Sequence, residues 1–94
     1  MNNPFDYNRL VRDTLWMFKA GRRVNALVRH IYDESHPARV DGTIISARMV
    51  TDDYGSDNIL VMFEADDGEV YERKAFDGFY SNILVFNESG DGFV

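Results

Sequence analysis

Ser35, His36 and Asp41 have the side chains of a Ser-His-Asp hydrolase, and they stand close together in the chain. A catalytic triad needs positions that different parts of a rigid scaffold hold in place, whereas these residues are near neighbours around Pro37. No Gly-x-Ser-x-Gly sequence is present to expose a nucleophilic serine at a sharp turn. We therefore interpret Ser35 as the end of a helix and His36 as a solvated linker residue, and we expect no catalytic residues and no enzyme activity.

Metal binding has equally weak candidates. His30 and His36 are six residues apart and the chain has no cysteine, so no zinc-binding spacing is present. Carboxylates occur in two loops, one with Asp52, Asp53 and Asp57 and the other with Asp66, Asp67 and Glu69. Neither loop has the alternating carboxylates, the glycine and the twelfth-position glutamate of a helix-loop-helix calcium site. We interpret both loops as turns and expect no metal and no cofactor, with loose calcium binding at one loop as the open alternative.

Tyrosines and acidic turn residues are the better candidates, and they point to contact with a partner protein. Tyrosine is enriched at interfaces, and its hydroxyl needs a hydrogen-bond partner or water wherever the ring is buried. Small barrels often bind peptides through aromatic grooves, and aromatic residues cluster late in this chain. The predicted partner-binding residues are Tyr54, Tyr71, Tyr80, Asp66, Asp67 and Glu69.

The charge of the chain changes sign near residue 31. Residues 1–30 contain six basic and two acidic residues, which gives a net charge of +4. Residues 31–94 contain four basic and fourteen acidic residues, which gives −10. Two charge regimes predict two structural parts with different roles. The acidic part should repel phosphate, so we expect no direct binding of nucleic acid.

Residues 1–36 are predicted to be helical. Asn3 suits a helix N-cap and Pro4 suits the first helical position. Apolar residues recur at helical spacing, namely Tyr7, Leu10, Val11, Met17, Phe18, Val24, Val28 and Ile31. Gly21 either ends a first helix near Ala20 or lies inside a single helix of about 30 residues. We favour two helices, because one helix of about 45 Å would need a second chain to cover it.

This helical part carries both basic and apolar side chains, and the way it packs determines which groups its basic side chains contact. We expect its apolar side to pack on the rest of the protein and its arginines to pair with the carboxylates there. Trp16 and Phe18 point about 200° apart on a helix, so one of the two is expected to be exposed.

Residues 37–94 are predicted to form four or five short antiparallel strands. Residues 43–51 alternate, with Ile45, Ala47 and Met49 on one face. Residues 59–63 are apolar on both faces, which predicts a central strand, and Asp67-Gly68 marks a hairpin turn. The predicted fold class is α+β in a single domain: an N-terminal helical segment, followed by a small antiparallel β-barrel of SH3-like or OB-like type.

A set of short motifs resembles a small bacterial β-barrel domain of unknown function. The motifs are Phe63-Glu64, Gly68, Glu72-Arg73, Tyr80 and Gly90-Asp91-Gly92, within residues 40–92. This chain spaces its last turn farther from Tyr80 and has Gly-Asp-Gly where that family has Gly-Asp-x-Gly. The resemblance implies a barrel, and it implies no activity and no site residue.

These patterns together favour a non-enzymatic protein-interaction module. The partner is expected to be a protein, and the N-terminal helix either docks within the chain or forms a homodimer. The alternative is an acidic nucleic-acid mimic that occupies a basic nucleic-acid-binding site on its partner. Acids clustered on one face would favour the mimic, and an even spread would favour a general module. The lack of cysteine and of an apolar leader or membrane span predicts a cytoplasmic protein.

Overall fold

Residues 4–29, 38–78 and 80–94 are described by the structure, a computed structural model. Several predictions concern other residues and lie outside the described ones: the N-cap at Asn3, the strand start at Phe79, and the interpretations of His30, Ser35, His36 and Pro37.

One helix precedes a sheet of five antiparallel strands in the described part of the chain. The elements are α1 (Pro4–Thr14), a 3₁₀ turn (Leu15–Met17), β1 (Arg23–Leu27), β2 (Arg39–Thr51), β3 (Asp57–Ala65), β4 (Val70–Lys74), β5 (Phe76–Asp77), β6 (Tyr80–Ser81) and β7 (Ile83–Val85). The sheet has the order β4-β3-β2-β1-β7, and β5 pairs with β6 in a separate hairpin. The α+β class is therefore confirmed. No helix among the described residues is long and apolar enough to cross a membrane.

The second predicted helix is wrong, because Arg23–Leu27 is strand β1, paired with both β2 and β7. Val24 and Ala26 point into the core and are fully buried. Their spacing of two residues is that of a strand, whereas the spacing from Val24 to Val28 also fits a helix. Gly21, whose φ of 90° lies in the left-handed region, makes the turn that leads the chain from the 3₁₀ turn into β1.

The sheet is not a closed barrel, since its edge strands β4 and β7 are not paired with each other. Single backbone hydrogen bonds bridge the gap through the segment between them. The amide of Ala75 donates to Ile59, that of Asn82 to Ala75, and that of Leu27 to Asn82, each over 2.8 Å. The two edges of the sheet are thus linked through Ala75 and Asn82 and not by a ladder of paired strands.

The core lies on the inner face of the sheet, and the helical part covers it with Val11 and Phe18. The core strands contribute Val24, Ala26, Ile44, Ile59, Val61, Phe63, Ile83 and Val85, all at most 3% exposed. Phe18 is 4% exposed and Trp16 is 57% exposed, so Phe18 is the buried member of the predicted pair. The helix is held by a few apolar side chains, and its loss would uncover the core.

A β-bulge in β2 reverses one predicted side-chain direction. The pairing with β3 shifts between Ile44 and Ser46, so Ile45 is an extra residue. Ile44 faces inward and is 2% exposed, whereas Ile45 is 46% exposed. Ala47 and Met49 pack against the core as predicted. The prediction that Ile45 shares their face is wrong, because strict alternation does not survive a bulge.

Candidate interaction surfaces

The three predicted tyrosines lie in different environments. Tyr54 is at the tip of the β2–β3 turn and is 94% exposed, and Tyr80 in β6 is 81% exposed. Tyr71 in β4 is half-buried, because its ring stacks on Phe63 with centroids 5.6 Å apart. The guanidinium of Arg73 lies 5.2 Å from the Tyr71 centroid. Tyr71 is thus engaged within the fold, while the other two rings face solvent.

The three predicted acids lie in the β3–β4 turn, and one of them is neutralised. Both carboxylate oxygens of Asp66 accept hydrogen bonds from Arg23, over 2.7 and 2.8 Å. The Arg23 guanidinium holds the pKa of Asp66 below its ordinary value. Asp67 and Glu69 are exposed, and the Asp67 carboxylate accepts from the Glu69 amide over 3.0 Å. Asp67 and Glu69 therefore supply most of the free charge of this turn.

The predicted set does not form one surface. Tyr54 precedes β3 and the acidic turn follows it, and nine residues of strand separate the two ends by about 26 Å. The acids of residues 31–94 are spread in the same way. Twelve of the fourteen are described; Asp33 and Glu34 lie outside the described residues. The twelve lie in β2 (Asp41), in the β2–β3 turn and at the start of β3, around the β3–β4 hairpin, in β5 and in the C-terminal loop.

Asp57 joins the helix to the sheet, and sequence reasoning assigned it only to a turn. Its carboxylate accepts hydrogen bonds from the Thr51 hydroxyl at 2.8 Å and from Nε of Arg12 at 3.1 Å. The Asp57 amide donates to the Asn8 side chain at 2.9 Å. Asn8 in turn donates to the carbonyl of Gly55. Two side chains of α1 thus contact the first residue of β3 and the turn before it.

The stability of the protein should depend on the ionisation of Asp57. The Thr51 hydroxyl, followed by the Arg12 guanidinium, holds the pKa of Asp57 below its ordinary value of 3.8. A lowered folded-state pKa stabilises the fold above the unfolded pKa, and that contribution is lost as pH falls through the lower folded value. We expect Asp57→Asn to destabilise the protein at neutral pH, with a difference from wild type that shrinks below about pH 4.

Chemical denaturation between neutral pH and about pH 3 measures this dependence. Asp53→Asn is the matched control, since Asp53 is exposed in the same turn. A destabilisation by Asp57→Asn that stays constant with pH would show that the ionised carboxylate is not what holds Arg12 and Thr51.

The outward face of β3 carries apolar side chains. Ile59, Val61 and Phe63 are fully buried on the inner face, while Leu60 and Met62 alternate with them on the outer face and are half-buried. Val70 of β4 lies on the same outer face and is 55% exposed. Among the described residues, the core and the side chains packed on it include none of these three outward residues. We call Leu60, Met62 and Val70 the outer patch.

Polar and charged side chains border the outer patch. Those paired with it across the strands are Ser46, Arg48, Glu64, Glu72 and Lys74. Asp66, Asp67 and Glu69 lie just beyond one end of it, in the turn that joins β3 to β4. An apolar centre with a polar border is the usual anatomy of a protein interface.

The described residues also line two clefts. One cleft of about 200 Å³ lies between Tyr7 of α1 and Val50 and Leu60 of the sheet, which is below the roughly 300–1,000 Å³ typical of ligand pockets. A second, of about 350 Å³, lies near the ends of β1 and β4. No group of three or more His, Cys, Asp or Glu residues within the described chain is placed to hold a metal ion.

No family model matches the sequence, and no curated protein or solved structure matches it either. The resemblance to a small bacterial β-barrel domain stays a prediction.

Proposed function

We propose that this protein is a non-enzymatic protein-interaction module that binds a basic partner protein through the outer patch and the adjoining acidic turn. The observation that carries the proposal is that β3 has apolar side chains on both faces and that, among the described residues, the core covers its inner face but not Leu60 and Met62. Water contact with Leu60, Met62 and Val70 is unfavourable, and a partner that covers them would remove it.

Charge selects the kind of partner. The chain carries a net charge of −6, so two copies repel one another and a basic protein is attracted from solution. Asp67 and Glu69 stand at the end of the outer patch, next to Val70. A partner segment with apolar side chains followed by lysine or arginine would match this order.

The spread of the acids supports a module of this kind over the nucleic-acid mimic. The described carboxylates occur in turns at both ends of β3, in the strands and in the C-terminal loop, so they are spread over the described part of the chain. Asp57 and Asp66 are moreover paired with Arg12 and Arg23, which reduces their value as substitutes for phosphate.

The barrel type and the location of the protein remain part of this proposal. The strand order and the two-residue bridge through Ala75 and Asn82 support a strongly curled sheet related to the SH3-like or OB-like barrels. The lack of cysteine fits the reducing cytoplasm.

Met62→Lys tests the proposed surface. Met62 lies opposite Glu72, so a lysine there forms an opposite-charge pair across the strands and the fold should be retained. The new charge lies inside the outer patch and repels a basic partner. We expect binding of the physiological partner to weaken at least about tenfold, which is about 1.4 kcal/mol.

Tyr54→Lys is the matched control, because it introduces the same charge at a 94% exposed position at the other end of β3. Wild type, Tyr54→Lys and Met62→Lys are each immobilised and exposed to an extract of the native host. The partners are the proteins that wild type and Tyr54→Lys retain and that Met62→Lys does not. Their affinities are then measured with purified components. Equal loss with both variants, or loss with Tyr54→Lys alone, would move the interface to the turns. If wild type and both variants retain the same partners, the outer patch is not the interface.

A further inference from the structure

The strand β4 forms an edge of the sheet, and within the described part of the chain no strand lies beside its outward side. The other edge, β7, is partly covered. The amide of Val94 donates to the carbonyl of Val85 over 2.8 Å, and Phe93 pairs with Phe86 just after β7. Of the two edges, β4 is therefore the one that presents unpaired backbone groups to a further strand.

The register of β3 and β4 identifies the backbone groups that face outward. In an antiparallel ladder, hydrogen-bonded pairs of residues alternate with pairs that are not hydrogen-bonded. The carbonyl of Glu69 and the amide of Ala75, which flank β4, both bond to β3 over 2.8 Å. The odd-numbered residues thus direct their backbone groups toward β3. The N–H and C=O groups of Val70 and Glu72 consequently point away from the sheet.

The outward groups at Val70 and Glu72 are accessible to a partner backbone. Among the described residues, none bonds to the N–H or C=O of Val70 or to the N–H of Glu72. The carbonyl of Glu72 accepts from the guanidinium of Arg73 over 3.0 Å and keeps a second lone pair. Farther along, the side-chain amide of Asn82 lies 3.5 Å from the carbonyl of Lys74 and occupies that end of the edge. The open stretch of β4 therefore runs from Val70 to Glu72.

The side chains beside this open stretch select a basic occupant. Glu64 is paired with Val70, and Glu72 is two residues along from Val70, so all three side chains lie on the outer face. Both carboxylates are exposed, and neither belongs to an ion pair of the described chain. A lysine across from either one would form a favourable cross-strand pair. A second copy of this chain would instead bring the same carboxylates and a further net charge of −6.

We propose that the basic partner adds an extended segment to β4 as a further antiparallel strand of the sheet. The inference rests on the proposed function, because Val70 belongs to both the open edge and the outer patch, so the added strand continues that interface. Backbone hydrogen bonds to Val70 and Glu72 would supply affinity. An apolar side chain opposite Val70 and a lysine opposite Glu72 would supply selectivity.

The test uses the capped peptide acetyl-Lys-Thr-Val-Thr-Lys-amide as a probe and follows the amide NMR signals of the whole protein. With its valine opposite Val70, the peptide places one lysine opposite Glu72 and the other near Asp67 and Glu69. We expect saturable shifts at the amides of Val70 and Glu72 at about millimolar concentration. Raising the ionic strength should weaken the binding, because part of the attraction is between exposed charges.

Two N-methylated forms of the peptide separate an added strand from attraction between charges. Methylation of the valine nitrogen removes the N–H that would donate to the carbonyl of Val70, whereas methylation of the threonine after it alters an N–H that faces away from β4. We expect the threonine-methylated peptide to bind like the parent and the valine-methylated peptide to give no saturable shift up to about 10 mM. Equal binding of the two would overturn the added strand. It would leave the outer patch, which Met62→Lys tests, unaffected.

Glu72→Gln and Glu88→Gln test the charge preference. Each removes one carboxylate charge from an exposed position, and Glu88 lies in the C-terminal loop, away from β4. We expect Glu72→Gln to weaken binding of the parent peptide about threefold or more and Glu88→Gln to leave it unchanged. Equal effects of the two variants would contradict a basic strand beside Glu72. Shifts at Val70 and Glu72 that depend on protein concentration without peptide would make a second copy the occupant and would also overturn the proposal.

Discussion

Replacing Phe18 by alanine is expected to lower the free energy of unfolding by about 3–5 kcal/mol. Phe18 is 4% exposed and belongs to the core cluster, where it lies with residues of the sheet's inner face. Its truncation removes the buried ring and leaves a cavity in the core, and a domain of 94 residues has only a modest core. Such a loss is a large part of the total stability of a small domain, so the change should be plain in chemical denaturation.

Trp16→Ala is the matched control, because Trp16 is a larger aromatic residue two positions earlier and is 57% exposed. We expect its truncation to cost about 1 kcal/mol or less. Arg23→Ala removes an exposed ion pair with Asp66, for which about 0–1 kcal/mol is typical, and an exposed hydrogen bond to the Thr43 hydroxyl. A loss at Trp16 equal to that at Phe18 would mean that the 3₁₀ turn is buried in solution, and an interface through the helical segment would then be the explanation to test.

The comparison of Phe18 with Trp16 also shows what the sequence allows one to predict. The spacing of the two aromatics predicts that they point apart, and the structure confirms that one is buried and one is exposed. Which of the two is buried depends on the direction in which the chain leaves α1. That direction is set by the 3₁₀ turn and by Gly21, both of which are tertiary details that periodicity does not contain.

The strand β1 could not be distinguished from a helix by spacing alone. Val24, Ala26 and Val28 repeat at two residues, while Val24, Val28 and Ile31 repeat at helical spacing, and the segment is too short for either pattern to dominate. What decides its structure is pairing: β1 lies between β2 and β7, and β7 comes from the far end of the chain. Such long-range pairing is not visible in the local sequence.

The charge split also reflects pairing across the fold rather than two separate parts. Arg12 of the basic segment pairs with Asp57, and Arg23 pairs with Asp66, each over more than 40 positions in the chain. The expected pairing of arginines with carboxylates of the sheet is therefore seen at both ends of β3. The sequence predicts the signs of the charges, but the register of the strands determines the partners.

The candidate surface was only partly predictable. The run 59–63 correctly predicts a strand with neighbours on both sides, since β3 lies between β2 and β4. It also predicts a second apolar face on this strand. Which elements cover that face depends on the tertiary structure, which the local sequence does not determine. Leu60 and Met62 lie outside the core, so a feature interpreted as burial becomes a candidate interface. The acidic turn is predictable because Asp67-Gly68 is a strong local signal for a hairpin turn.

Gly42→Ala should destabilise the sheet by about 1–3 kcal/mol, although its backbone conformation suits any residue. Gly42 of β2 lies opposite Ala65 of β3, three residues before Ile45, the extra residue of the bulge. A Cβ atom on Gly42 would stand 2.6 Å from the carbonyl oxygen of Glu64 and 3.1 Å from the Cα of Ala65. Both are backbone atoms and cannot rotate away, so the two strands would have to separate.

Gly92→Ala is the matched control for this effect. A Cβ atom there would meet the side-chain nitrogen of Asn87 at 3.3 Å, and a side chain can move aside. We expect a change within about 0.5 kcal/mol for Gly92→Ala, as for an ordinary surface substitution. Chemical denaturation measures both variants, and amide NMR shifts at Glu64 and Ala65 report whether the strands have moved. If Gly42→Ala is as stable as wild type, β2 and β3 have room for a Cβ atom at this point. Close approach of the two strands would then not explain the glycine next to the bulge.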